Sequence, residues 1–470
     1  MGISPLFCGL LTIDNLVKKL YKWIKEIHRT MNIYNSPLES LYRNIEGSFF
    51  KIEREKQNIS LNYAAKELFL NKGYLSELEN GKKKLSNELI QQMNAFYDVN
   101  FICDKNDYLI SLSLLKKAFN AGFFLDADKR AETLEQYVNK INITNKISYS
   151  FFINHIIIFY HLIITKSSKK EIQEEADFIM NNQRAFSNEE LSIFHCIFGS
   201  YLKYNSISLT EAEEHYLISQ DYSSYSSTVH AMVSFQLISL YAKTQRAPLA
   251  LEQCQIARQI LSEHLNYRRL GEIDILESTI LSFLGMHTIA IKKLKSLLEI
   301  LPENNDEFSN VRSRIYYSLS ICCFQQKKYD DSIRFAKLAS SNSSYHIDVS
   351  KEISYSLYMQ NKYDSCLEYI KNQLPLCTNE DQLFLLAIKA DIENNCKEFE
   401  NNLTKYYEYV LNNGNYITLP LVLHIFLNFY TKRNNVVFEN KTLRDLNSLG
   451  EFRLSYKNSN LLNALKDGLK

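Results

Sequence analysis

The heptapeptide Gln326-Lys327-Lys328-Tyr329-Asp330-Asp331-Ser332 returns 34 residues later as Gln360-Asn361-Lys362-Tyr363-Asp364-Ser365-Cys366. Thirty-four residues is the period of the tetratricopeptide unit, a pair of helices joined by a turn. One such pair cannot bury its apolar face alone, so units stack, share a continuous core and leave a curved, concave wall. The flanking residues fit that unit. Tyr316, Leu319 and Cys323 take the bulky positions of a first helix, and Ser332 and Ala339 the small positions of a second. Upstream, Leu281, Ala290, Leu294 and Pro302 fit a further unit, and Leu237, Tyr241, Ala250 and Ala257 another, at spacings of 40 and 42 residues that imply longer connections. A generic helical bundle is the alternative, and the repeated heptapeptide favours the array.

Composition points the same way. At 470 residues the chain exceeds one compact core. Its 12 glycines and 6 prolines are too few for a sandwich, a barrel or a disulfide scaffold, all of which need frequent turns. Nine scattered cysteines without a C-x-x-C pair, with Cys196, Cys254, Cys323 and Cys366 among apolar residues, read as buried thiols in a reducing compartment. Ile3 to Ile13 is apolar but lacks a basic leader, and no run reaches the length that spans a bilayer, so a soluble protein without membrane association is expected. Residues 14–29 read as a basic amphipathic helix carrying Leu16, Leu20, Trp23, Ile24 and Ile27.

The expected fold is therefore all-α, with a helix-turn-helix domain ahead of a solenoid of helical repeats. Residues 1–38 form a helical extension, 39–101 the head domain, and 109–470 the repeat domain. The polar interval from Phe101 to Tyr108 is the expected linker. The 54 Lys plus Arg nearly balance the 53 Asp plus Glu, so any nucleic-acid contact must come from a local patch.

That patch lies between Ile45 and Phe101. Ser60 is placed to cap a second helix and Asn71 a third, and Ala65 is the small residue that lets the two cross closely. Leu75 and Leu78 turn inward, which leaves Asn71, Lys72, Gly73, Tyr74, Ser76 and Glu77 at or near the exposed first turn, the part of such a helix that enters a major groove. Gly81 follows Asn80 as a left-handed cap, and Leu85, Leu89, Met93 and Phe96 continue the core. From Lys51 to Lys84 there are eight Lys or Arg against five Asp or Glu. Lys82, Lys83 and Lys84 directly follow the third helix, where phosphate contact is their natural role.

This segment resembles the Xre/Cro-type helix-turn-helix, whose hallmark is a Glu-x-Gly ending after the third helix, here Glu79-Asn80-Gly81. With the repeat array behind it, the chain resembles the RRNPP group of peptide-sensing regulators. The resemblance implies a cytoplasmic quorum-sensing transcription regulator that acts as a homodimer, binds double-stranded DNA through its head and binds a short signalling peptide on the concave repeat face. Two positions depart from the pattern: Phe69 stands where the turn usually has Gly, and Leu61 where the second helix often begins with Gln. Phe69 enters a left-handed turn only at some cost, and Leu61 cannot read an adenine edge as Gln does.

If the first helix of each pair faces the concavity, Phe235, Ser239, Glu272, Thr279, Arg314, Tyr317, Lys351 and Tyr355 line it, a mixture of aromatic and charged groups suited to a peptide's backbone and termini. No enzyme is expected. His155 and His161 are six apart in an apolar helix, without the four-residue step of a helical metal pair, and read as core histidines. Gly81-Lys82 lacks the second glycine and the strand of a phosphate-binding loop, and no cofactor is expected. The competing function is a protein-interaction scaffold whose helix-turn-helix no longer reads DNA.

Overall fold

The computed structural model describes residues 37–124, 127–144, 146–205, 207–301, 308–341, 348–412 and 419–454. The amphipathic helix expected at 14–29, nearly all of the 1–38 extension and the Pro302 repeat position lie outside the described residues. Among the described residues the structure is helical, with one pair of two-residue strands, β1 (Phe101–Ile102) and β2 (Ile147–Ser148), running parallel. It divides into two compact units, residues up to 118 with 128–190, and residues 119–127 with 191 onward.

In the first unit α1 (Pro37–Lys56) is the central helix. Leu41, Ile45 and Phe49 recur at four-residue steps, each 5% exposed or less, and Tyr42 and Phe50 widen the stripe. Three short helices follow, α2 (Leu61–Glu67), α3 (Lys72–Glu79) and α4 (Asn87–Tyr97), of which α3 and α4 pack on α1 and α2 packs on α3. Leu75, Leu78, Leu85, Leu89 and Met93 are buried as expected. The fourth helix turns Tyr97 rather than Phe96 fully inward, with Phe96 half-buried and edge-on to the Tyr97 ring. Gly47 permits the closest approach. A Cβ there would sit 2.2 Å from the Leu78 carbonyl oxygen, so α1 can cross the end of α3 only at glycine.

Residues 101–108, the expected linker, are packed instead. Phe101 and Tyr108 are 2% and 1% exposed. The Asn94 side chain accepts from the Phe101 N–H and donates to its carbonyl, at 3.0 and 2.9 Å, as a neighbouring strand would. Beyond them come α5 (Lys105–Phe123), α6 (Ala127–Thr144), α7 (Phe151–Ile164) and α8 (Lys169–Asn181). Residues 128–190 belong with the head, so this unit extends past the boundary expected near 101–109. Tyr149, between β2 and α7, donates to the buried Glu46 of α1 at 2.5 Å. Ser187 and Glu190 cap α9 (Asn188–Tyr204) reciprocally: the Ser187 N–H donates to the Glu190 carboxylate at 2.6 Å and the Glu190 N–H to the Ser187 hydroxyl at 3.3 Å. The His155 ring lies tilted against Phe178, centroids 3.9 Å apart, and contacts Glu175 at 2.8 Å, a packing role.

The second unit is a run of helix pairs: α9 with α10 (Leu209–Tyr222), α11 (Thr228–Lys243) with α12 (Ala247–Glu263), α13 (Tyr267–Phe283) with α14 (His287–Ile300), α15 (Ser309–Gln325) with α16 (Tyr329–Ser341), α17 (Ser350–Met359) with α18 (Tyr363–Gln373), α19 (Asn379–Ile392) with α20 (Cys396–Asn412), and α21 (Leu419–Lys432) with α22 (Val436–Leu454). The repeated heptapeptide is the turn within a pair. Lys327 and Asn361 both have φ near +58°. The Lys327 N–H donates to the Phe324 carbonyl and the Lys328 N–H to the Cys323 carbonyl, while Asn361 and Lys362 repeat this onto Tyr358 and Leu357. Each is the 5→2 and 6→1 pairing of a Schellman cap. Tyr329 and Tyr363 then open the second helix and pack on Phe324 and Tyr358, 5.5 and 6.0 Å away.

Left-handed residues mark the same turn at 245, 285, 327, 361, 394 and 434, and each second helix begins two residues later. The positions assigned to the repeat are core: Leu237, Ala250, Ala257, Ala290, Leu294, Leu319, Ser332, Ala339 and Cys366 are fully buried. Cys196, Cys254, Cys323 and Cys366 are buried free thiols. Among the described residues no helix is long and apolar enough to cross a membrane, and no group of three His, Cys, Asp or Glu is placed to hold a metal ion.

Candidate functional site

The head presents α3 by capping both its ends. Ser60 Oγ accepts from the Tyr63 N–H at 3.2 Å to start α2, and Asn71 Oδ1 accepts from the Gly73 N–H at 2.8 Å to start α3. Between the two helices Phe69 adopts φ +54° and is 96% exposed. Its N–H and that of Leu70 donate to the Lys66 and Ala65 carbonyls, closing the turn that glycine usually makes. Leu61 is half-buried at the entry to α2. At the far end of α3, Gly81 has φ +67°, and its N–H and that of Lys82 satisfy the Leu78 and Glu77 carbonyls.

Glu79, the acid of the Glu-x-Gly ending, is 3% exposed and forks onto Arg54 of α1, with Nε–Oε1 at 2.7 Å and Nη2–Oε2 at 2.9 Å. The third arm of Arg54 donates to the Ile59 carbonyl at 2.9 Å. This bidentate pair ties α3 to α1 through fixed geometry. The carboxylate beside it raises the Arg54 guanidinium further above its ordinary range. Sequence reasoning missed Arg54, because nothing local links it to a residue 25 positions away.

Asn71, Lys72, Gly73 and Tyr74 are exposed on the first turn of α3, and Ser76 and Glu77 are half-buried behind them. The lysine run is not uniformly open. Lys83 pairs with Glu77 at 2.7 Å and lies over the Tyr74 ring at 4.8 Å, and Lys84 reaches Glu39 at 4.0 Å. The Lys83 contact holds the Glu77 carboxyl below its usual range. Lys82 has no ion-pair partner among the described residues. The surface thus pairs a polar helix turn with one open and two loosely engaged lysines.

In the second unit, seven of the eight residues expected on the first-helix face belong to a ladder of side chains from one first helix to the next. Ser239 Oγ of α11 accepts from Lys203 Nζ of α9 at 2.7 Å. The Arg269 guanidinium of α13 covers the Phe235 ring of α11 at 4.7 Å. Glu272 takes Arg269 at 3.2 Å and Arg314 of α15 at 2.9 Å. Thr279 lies 3.5 Å from Ser318. The Tyr317 hydroxyl donates to Glu352 of α17 at 2.9 Å, and Lys351 pairs with Asp381 of α19. Tyr355 is the exception. It is 3% exposed and packs among Phe324, Tyr358 and Phe384, a core aromatic outside the ladder, and Phe235 is likewise buried, at 8% exposure, meeting the ladder only under the Arg269 guanidinium. Lys203, Arg269, Glu352 and Asp381 were not anticipated, although a step of one repeat from each chosen residue leads into their helices.

Residues 50–102 match the family model described as helix-turn-helix. No curated protein sequence matches the chain. Among solved structures it is similar to a Rap protein complexed with Competence and Sporulation Factor, at 15% identity and TM-score 0.61, covering 74% of this chain and 99% of that one. It is similar to the apo form of the quorum sensor NprR from B. thuringiensis at 13% identity and TM-score 0.56, covering 72% and 97%. A third similar structure, NprR in complex with its cognate peptide NprX, has 12% identity and TM-score 0.50, covering 69% and 97%. The chain therefore carries a helix-turn-helix domain at residues 50–102 and, over most of its length, the helical-repeat fold of the Rap and NprR structures.

Proposed function

We propose that this protein is a DNA-binding transcriptional regulator, dimeric through its repeats, whose promoter affinity is set by a short signalling peptide held on the first-helix face. The observation that carries the DNA half is the capped α3, whose first turn exposes Asn71, Lys72, Gly73 and Tyr74 beside Lys82–Lys84. The peptide half is supported by the side-chain ladder of Phe235, Ser239, Glu272, Thr279, Arg314, Tyr317 and Lys351, and by the peptide complexes formed by proteins of this fold. A ligand shifts the DNA equilibrium only through unequal affinity for two arrangements of the array.

Fluorescence anisotropy with the upstream region of the protein's own gene tests this. Replacing Lys82, Lys83 and Lys84 together by Ala should abolish binding near physiological salt and flatten its salt dependence. Unchanged affinity and slope would remove the function. The internal pairing of Lys83 with Glu77 and Lys84 with Glu39 favours a second possibility, an interaction scaffold that does not read DNA. In that case wild type and triple variant alike would leave the DNA unbound.

A further inference from the structure

Lys203 is the least expected charge in the molecule. It sits at the end of α9, is 2% exposed, and has no carboxylate partner among the described residues. Its ammonium donates only to neutral oxygens: the Gln236 backbone carbonyl at 3.4 Å, the Gln236 side-chain carbonyl and the Ser239 hydroxyl at 2.7 Å. A buried cation with neutral partners alone is expensive, because such acceptors repay only part of its lost hydration. The surroundings add no negative charge. Cys196 lies on α9 itself, Tyr216 on α10, Lys243 on α11 and Arg269 on α13, and the two cations among them oppose the charge of Lys203. Burial first, then Lys243, hold its ammonium down to about 7. Glu272, which pairs with Arg269, is shared with Arg314.

The group is nonetheless one side chain beneath the surface. The Tyr204 ring lies 4.7 Å from Lys203 Nζ, its hydroxyl donates to Gln236 Oε1 at 3.2 Å, and the residue is 67% exposed. A rotation of Tyr204 would open the ammonium and free the Gln236 amide together. Around the ammonium stand the Ser239 hydroxyl and the Tyr216 ring, 5.9 Å away.

We propose that Lys203, Gln236 and Ser239 form the seat of a ligand carboxylate, the free C-terminus of a short peptide, which displaces the Gln236 side-chain carbonyl from the ammonium. Naming the C-terminus as source rests on the peptide-receptor function proposed above, whereas the carboxylate seat itself stands on the Lys203 geometry. Ser239 would turn its hydroxyl from the Gln236 carbonyl, now 3.0 Å away, to the second carboxylate oxygen.

The test uses the full chain labelled with ¹³Cε-lysine, titrated by NMR with N-acetyl-alanyl-alanine, its C-terminal amide and acetate. The Lys203 signal is assigned by its loss in Lys203→Met. The free acid is expected to shift that signal saturably and to bind about tenfold or more tightly than the amide, the usual worth of a charge-assisted hydrogen bond. Gln236→Glu places a carboxylate inside the seat and should abolish the preference while keeping the chain folded. A response to acetate equal to that of the dipeptide would support the seat and remove the peptide end as its source. No response to any carboxylate, or an equal response to the amide, would overturn it.

Discussion

At Phe69 and Gly81 the same left-handed turn is made by residues of opposite suitability. Phe69 holds φ +54° with its ring 96% exposed, so it gains no packing in return for the backbone cost of a β-carbon in that region. Phe69→Gly should stabilise the protein by about 0.5–1 kcal/mol after allowing for the greater unfolded-state freedom of glycine. Gly81→Ala should do the reverse, since its β-carbon would lie 2.1 Å from Asn44 Oδ1 and 3.0 Å from Asn44 Cα. A loss above about 1 kcal/mol is expected there. Urea unfolding measures both, and a destabilised Phe69→Gly would mean that the ring makes a stabilising contact and that the turn carries no net strain. The turn at Phe69 was legible in the sequence as a departure from pattern. So was its backbone cost; that the ring stays 96% exposed and recovers none of that cost by packing was not, because a sequence names the residue without its surroundings.

Among the elements, α9 shows how a local signal can hide a tertiary one. Ser187-x-x-Glu190 is an ordinary capping box, but Glu190 is also 1% exposed, and burial pushes its carboxyl up to about 7. Between the unfolded value of 4.5 and about 7, the folded state holds a proton that the unfolded state has lost. Stability from this group therefore falls as pH rises through that window and is constant above it. His195 and His215, held low by burial, act in the opposite sense over part of the same range. The prediction accordingly concerns a difference. The stability of Glu190→Gln minus that of wild type should grow from pH 4.5 to 7 by on the order of 3 kcal/mol and then level off, since Gln keeps the cap without the titration. A pH-independent difference in thermal unfolding would show that Glu190 stays ionised. The heptapeptide was legible for the opposite reason. Its residues spell out one Schellman turn, so the signal is local and repeats at the period of the structure. The Arg54–Glu79 fork and the first-helix ladder join residues 25 to 42 positions apart, and no local pattern announces them.

For the whole molecule, balanced charge limits how strongly one head can hold DNA. With a formal net charge of +1, the chain has only its local cations for phosphate; Lys72 stands on the first turn of α3, which would enter the groove, and that leaves Lys82, Lys83 and Lys84 for phosphate. Lys83 must give up Glu77 to reach a phosphate, although an exposed pair of this kind is worth about 1 kcal/mol or less. Three phosphates per head correspond to a slope of about −3 in log affinity against log salt, and two heads to about −5. An eight-residue recognition helix reads only a few base pairs, so useful specificity also calls for two heads on a two-fold site, one turn of DNA or a multiple of it apart. The regulator proposed here is thus expected to give a slope near −5 on its own upstream region, two protected half-sites in footprinting, and the mass of a dimer in light scattering. A slope near −3 with a single protected half-site and a monomeric mass would mean that the repeats present one head alone, and that dimerisation is no part of how this protein binds DNA.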